Sequence, residues 1–502
     1  VHRRALIAAA LAAASSPSLP AVARCIVADP SPPRGGRKLG VREFGAVGDG
    51  HHDDTAALQR AFAALQPRDT LRFGPGSFVH ASRLVIGAAG VHLLADGATL
   101  HATNPADQAL LIQADGVVVR GFTLTAVTDR RRDAPWESRI AIWRDGARAA
   151  SAVRDVHILD NRIVEAGPAP GRSQGGPAAS GGSDRGGPRH PATALANSSS
   201  SAAIFVHHAA RFTVARNLVR RSLADAIHVT GSSTQGRVVG NTVRESGDDM
   251  VAVVSYLPSQ REHARGVPTL VRDVLIAHND LAGQYWGRGI SVVGGEAITI
   301  RGNRIDAATH AAGVYIAREA AYRTHGVRGV RVSGNTITRV QTVAPDYSVL
   351  EPARAGVRTG HGAIEVVAQI ADDERPDAGP RRALGIDGVL IDGNVVRDIG
   401  TDGIRIGDGW GQRRSIERPG NDGATRTVGI TSAPVRRVTL RDNRFEAVRH
   451  AALVVFNADD AARVLVCHGN TIDGRALSDA ACDKAASTAT SVPSGSSMRC
   501  GS

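Results

Sequence analysis

One short unit recurs along most of this 502-residue chain: an alternating apolar stretch, an asparagine, then a second apolar pair. It reads VHILDNRIV at Asn161, FTVARNLV at Asn217, RVVGNTV at Asn241, VLIAHNDL at Asn279 and ITIRGNRI at Asn303. It continues as VRVSGNTI at Asn335, VLIDGNVV at Asn394, VTLRDNRF at Asn443 and VLVCHGNTI at Asn470. Two of the spacings are 24 residues and the others are longer, as insertions at one corner of a repeat would make them. Alternation with a period of two excludes a helical repeat. A recurring unit of this size marks a stacked architecture. The arrangement that buries such a chain is a right-handed parallel β-helix, an all-β solenoid of about ten coils spaced about 4.8 Å apart. Asn at a fixed corner tolerates the left-handed conformation and can bond its equivalents in neighbouring coils.

A second strand follows each Asn corner, and its register is readable: DAIHV from Asp225, DMVAV from Asp249, RGISV from Arg288, AGVYI from Ala312, GAIEV from Gly362 and DGIRI from Asp402. The third and fifth residues are apolar and are expected to point inward. The fourth then points outward, giving a column of His228, Ala252, Ser291, Tyr315, Glu365 and Arg405 that would wall a groove. Glu365 and Arg405, far along the column, read as surface residues.

The ends and insertions differ. Arg3, Arg4, LIAAALAAA and Ala21-Val22-Ala23 have the order of a secretory signal, so residues 1–23 are expected to be removed on export to the periplasm or beyond. Residues 24–483 then form one solenoid domain. Within it TAALQRAFAAL after Asp53 and Asp54 reads as a helix that would cap the open end. A Gly/Pro/Ser-rich stretch at 167–201 reads as a disordered insertion, and 484–502 as a loose tail. The loop at 257–270 carries Arg261, His263 and Arg265 and is placed to overhang the groove. Four cysteines in an oxidising compartment permit two disulfides, of which Cys467–Cys482 closes the shorter loop. No Cys/His spacing suggests zinc. Beyond the N-terminus nothing is apolar for long enough to span a membrane.

The formal net charge is +12. A basic exported protein suits an anionic polysaccharide partner. Aromatic residues are only 4%, which disfavours nucleic acid as a partner. A monomer is expected.

The chemistry-bearing stretch is NTVRESGDDMVAVVSY. Asp225 and Asp249 are 24 residues apart, the same distance as Asn217 and Asn241. Stacked coils would bring Asp225, Asp248 and Asp249 together. Clustered carboxylates are costly unless they do chemistry or bind a cation. The plainer reading of GDD is an ordinary acidic turn.

EFGAVGDGHHDDTAALQRAF resembles the N-terminal motif of the pectate-lyase-like β-helix superfamily. DAIHVTGSS followed by VVGNTVRESGDDMVAVVSY is similar to the pattern of polygalacturonases, the glycoside hydrolase family 28 type. That resemblance implies catalytic roles for Asp225, Asp248 and Asp249. GRGISVVGG resembles the family's GHGISIGS, with Arg288 in place of the His. AGVYIARE resembles its RIK strand, with Tyr315 and Ala317 where Arg and Lys are expected. Arg288 and Arg318 are the candidate replacement cations, and His228 and Tyr315 the further candidates for substrate binding.

The expected activity is hydrolysis of an acidic, pectin-like polysaccharide with inversion, which requires carboxyl groups roughly 6.5–9.5 Å apart. Asp248 would be the general acid, and Asp225 and Asp249 would hold the water. This reading needs no cofactor or metal. A uronate lyase or epimerase is the alternative. Its three acids would bind Ca²⁺, and Arg288, Tyr315 or Tyr285 would be the base. A third class is a non-catalytic glycan-binding rod.

Overall fold

The computed structural model describes residues 27–31, 33–127, 134–144, 151–165, 202–222, 224–258, 268–284, 287–308, 310–342, 359–374, 384–408, 414–419, 425–456, 465–477 and 498–499. They form a parallel β-helix whose faces are sheets of 15, 14 and 14 strands. One coil shows the plan. Thr234–Val239 lies in the first sheet, Thr242–Ser246 in the second and Val251–Val254 in the third. Each strand pairs in parallel with its equivalents on the coils before and after. Inward-facing residues such as Val238, Val243, Val251 and Val253 are fully buried.

The nine repeated asparagines form one unbroken ladder. Asn161 Nδ2 donates to Asn217 Oδ1 at 3.0 Å, and the same bond links each Asn to the next as far as Asn470. Every Oδ1 that accepts this bond also accepts the backbone N–H of the preceding Asn. One detail differs from expectation. The left-handed residue is the one before the Asn: Gly240, Gly302, Gly334, Gly393 and Gly469, or Asp160, Arg216, His278 and Asp442. Glycine suits that position because positive φ costs it nothing.

The first sheet runs through thirteen strands from Lys38–Gly40 to Leu465–His468, more than the roughly ten coils that the repeat suggests. The early coils lack the marker. Phe122 stands where later coils have Asn, and its backbone N–H donates to Asn161 Oδ1.

The helix Thr55–Ala63 forms as expected and buries Ala57, Leu58, Ala61 and Phe62. Asp54 does not cap it. Both its oxygens accept from the loop before, at Val47 and Gly48, while Asp53 accepts from Thr55. Residues 1–26, the 167–201 insertion, Arg261, His263, Arg265, Tyr285, Cys25, Cys482 and Cys500 lie outside the described residues. In the expected tail, Met498–Arg499 pairs antiparallel with Val454–Val455.

A rim stands beside the third sheet. The antiparallel hairpin Arg414–Pro419 and Thr425–Ser432 extends the edge of Ile364–Ala371. Ile416, Val428 and Ile430 pack there on Ala320 and Ala371. Tyr256 bridges Thr324 and covers the apolar side chains Val254, Val293, Ala317 and Val367.

Candidate active site on the third sheet

The outward column exists in the expected register. His228 is opposite Ala252, Ala252 opposite Ser291, Ser291 opposite Tyr315, Tyr315 opposite Glu365, and Glu365 opposite Arg405. It is not an open wall. His228, Ala252, Ser291, Tyr315 and Glu365 are all buried. The more open groups are Asp248 and Arg288, which are half-buried.

Asp225 and Asp249 each end the turn that enters a third-sheet strand, and Asp248 sits beside them. One oxygen from each lies within 4.8 Å of the others. This is closer than the separation that leaves room for an attacking water between two carboxyls, roughly 6.5–9.5 Å. Asp225 accepts the Asp249 backbone N–H at 3.0 Å and pairs with His228 Nδ1 at 2.6 Å. Asp249 accepts the Arg288 backbone N–H at 2.6 Å and the Ser291 hydroxyl. Burial pushes the Asp249 carboxyl up to about 8; Asp248 and Asp225 add to the rise, while Arg288 and Ser291 oppose it. A carboxyl raised this far favours a retained proton on Asp249 near neutral pH.

Gly287 closes the cluster from the next coil. A Cβ there would lie 2.3 Å from Asp248 Oδ1 and 2.3 Å from Asp249 Oδ1. Only a bare backbone fits against both acids. Sequence reasoning passed over Gly287 and the anchoring role of Ser291. Their signal is positional: Ser291 lies in the strand whose register is readable, and Gly287 directly precedes that stretch.

The cationic side differs from expectation. Arg288 bonds Glu319 Oε1 at 2.8 Å, lies 3.9 Å from Asp249 and stacks over the Tyr315 ring at 4.3 Å. Burial works against its charge, but Glu319, Asp249, Tyr315 and Asp248 outweigh this and raise its pKa well above the ordinary value. Burial also raises the Tyr315 hydroxyl well above its usual range, with Glu319 adding and Arg288 opposing. Glu319 is thus a buried partner and not a solvated one. Arg318 is corrected as a substrate cation. It is fully buried and bonds the Thr324 and Gln369 carbonyls and Glu374 at 2.6 Å, so it ties the rim to the sheet. Glu365 is corrected too. It is fully buried beside Arg405, and burial pushes its carboxyl up to about 7. Cys467 is buried in the first sheet.

Residues 39–146 match the family described as "Rhamnogalacturonase A/epimerase, pectate lyase-like". A search of curated protein sequences finds no match. Among solved structures the chain is similar to the mannuronan C-5 epimerase AlgE4 A-module of Azotobacter vinelandii, with a TM-score of 0.51 at 13% identity. That match covers 87% of this chain and 96% of the other. It is also similar to the Agl-KA catalytic domain, with a TM-score of 0.54 at 13% identity, over 89% of this chain and 66% of that one. A third is the catalytic domain of a GH87 α-1,3-glucanase in complex with tetrasaccharides, with a TM-score of 0.50 at 12% identity, over 88% and 71%. The chain is a parallel β-helix, and its residues 39–146 match the pectate-lyase-like family model.

Proposed function

We propose that the protein hydrolyses a glycosidic bond in a polysaccharide at the Asp225–Asp248–Asp249 cluster. The observation that carries this reading is the meeting of three carboxyl oxygens within 4.8 Å on adjacent coils, beside a fold shared with glycan-acting domains. Three carboxyls so close hold a proton at neutral pH, because not all can ionise at bearable cost. Asp249 is the seat of that proton. Asp248, the more open of the three, is the group that meets the glycosidic oxygen and passes the proton to it. Asp225, anchored by the Asp249 backbone N–H and His228 Nδ1, holds Asp249 in place, and the attacking water enters from outside the cluster, whose oxygens are too close to hold it between them. His228 and Tyr315 line the same column, and Arg288 balances the charge of the cluster.

The charge pattern gives little weight to an anionic substrate. Much of the arginine is spent on coil-to-coil pairs such as Arg211–Asp155, Arg437–Asp387 and Arg441–Asp392. Arg288 is itself paired with Glu319.

A uronate lyase or epimerase is a second reading, favoured by the stack of Arg288 on Tyr315 and by a cluster tight enough to hold Ca²⁺. Both readings are tested with α-1,3-glucan, polygalacturonate and alginate. Reducing ends without ultraviolet absorbance, unaffected by a calcium chelator, are the expected result. Absorbance from unsaturated uronate, or loss of activity in chelator, would overturn hydrolysis.

A further inference from the structure

Arg288 and Asp248 are both half-buried, and Asp248 is close enough to act on the Arg288 charge. A glycan that meets Asp248 therefore lies beside the Arg288 guanidinium. Arg presents its N–H groups as a fork that matches the two oxygens of a carboxylate, so it is a natural anchor for a uronate. Here the fork is already engaged. Nη2 donates to Glu319 Oε1 at 2.8 Å, and Nη1 faces Asp249 Oδ1 at 3.9 Å. The flat side of the guanidinium stacks on the Tyr315 ring.

Glu319 is fixed in this place. Its backbone N–H donates to Thr324 Oγ1 at 2.9 Å, and Thr324 bridges to Tyr256 on the rim. The Tyr315 hydroxyl donates to its carboxylate, and Arg288 holds it from the other side. Its side chain is 11% exposed, against 23% for Arg288, so the carboxylate sits deeper than the cation it neutralises. A sugar carboxylate arriving from solvent must compete with Glu319 for the fork while it also approaches Asp225, Asp248 and Asp249. Repulsion of this kind lets a site reject one of two ligands of the same shape. A neutral group at the same ring position meets no such opposition.

We propose that Glu319 is a specificity-determining residue: by occupying Arg288 it sets the site for an uncharged sugar ring next to the acids, against the corresponding uronate. Removing its charge frees the guanidinium and shifts the preference toward the uronate. The proposal rests on the hydrolase reading only in placing the glycan against Asp248.

Trigalacturonate and its fully methyl-esterified form test this, because they share one skeleton and differ in charge. Calorimetric titration of each into the full chain carrying Asp248→Asn gives an affinity ratio without turnover. This protein should favour the ester. Adding Glu319→Gln should raise the affinity for trigalacturonate at least fivefold relative to the ester. Gln keeps the size of Glu and an oxygen for the Tyr315 hydroxyl. Cations elsewhere on the chain act on both proteins alike, so they drop out of the comparison. Adding Arg288→Gln as well should take the gain away. An initial preference for trigalacturonate, a smaller shift, a gain that survives Arg288→Gln, or no binding of either probe to the Glu319→Gln protein overturns the proposal. Glu319→Ala is read in the same way if Glu319→Gln is not recovered folded. An unshifted ratio, with glycan hydrolysis abolished by Asp248→Asn, would strike the role of Glu319 and leave the acid assignment standing. A shifted ratio in a chain that hydrolyses glycan without the Asp248 carboxyl would do the reverse.

Discussion

The backbone N–H of Asp249 donates to Oδ1 of Asp225 at 3.0 Å, so the two acids are joined across one coil. The bond recurs one coil later, from Arg288 N–H to Asp249 Oδ1, and again from Ala451 N–H to Asp402 Oδ1 at 3.2 Å. An Asp at this corner therefore splices one coil to the next. Asp225 and Asp249 do so while their second oxygens turn to His228 and Ser291.

Structural and chemical roles separate on comparing Asp225 with Asp402. Either residue changed to Ala strands a buried backbone N–H, which costs about 1–3 kcal/mol. Urea unfolding should show lower midpoints for both variants. Glycan hydrolysis should be lost in Asp225→Ala and kept in Asp402→Ala.

Asp248→Asn should lower the turnover rate by about 10²–10⁴, the usual worth of a positioned proton donor. Its thermal midpoint should match the parent's, because Asp248 is the least buried of the three. Initial rates of reducing-end release read the first effect and calorimetry the second. Parental rates in this variant would remove Asp248 from the mechanism.

The elevated Asp249 carboxyl predicts a pH dependence of stability. The unfolded chain loses this proton near the ordinary value of 3.8, and the folded chain near 8. Between those values the folded state binds the extra proton, so this group's contribution falls as pH rises and levels off above 8. Asp249→Asn removes the effect. Denaturation from pH 4 to pH 9 should show the variant gaining on the parent up to about pH 8. A constant difference would contradict the buried proton.

Gly287→Ala should cut activity more than tenfold. The added methyl carbon meets both Asp248 and Asp249 at 2.3 Å, so the acids must move apart. Misplacement of about 1 Å is enough to cost this much. Rates with an unchanged far-ultraviolet circular dichroism spectrum would show the loss to be local.

Asn279→Ala should break the corner ladder in its middle. Asn279 Nδ2 donates to Asn303 and to the Val238 carbonyl, and its Oδ1 serves Asn241. Each buried group left unpaired costs roughly 1–3 kcal/mol. Hydrogen exchange should quicken at the coils on either side of residue 279 before it does at the ends.

The fold was legible because its repeat is chemical as well as periodic. Each Asn named from the sequence sits in the ladder, and the outward column from His228 to Arg405 has the register read for it. The acids came together for the same reason: a 24-residue offset is one turn of the solenoid. Side-chain fates were less legible. Glu365 faces outward by register yet is buried, and Arg318, at the end of its strand, is buried too, because residues distant in sequence close over them. Arg318 is claimed by Glu374, 56 residues away, and no local pattern announces such a partner. The early coils escaped notice because Phe122 replaces the marker residue there.

The amide bracket at each corner has a consequence for how such chains can vary. Because every turn is clamped to its neighbours independently, a segment of any length can be spliced between two turns without changing the rise from one acid to the next. The 38 residues that separate Asn241 from Asn279, against 24 between Asn217 and Asn241, leave the bond between them the same length. Lateral growth and axial spacing are thereby uncoupled, and surroundings of the acid cluster are free to be rebuilt while its dimensions stay put.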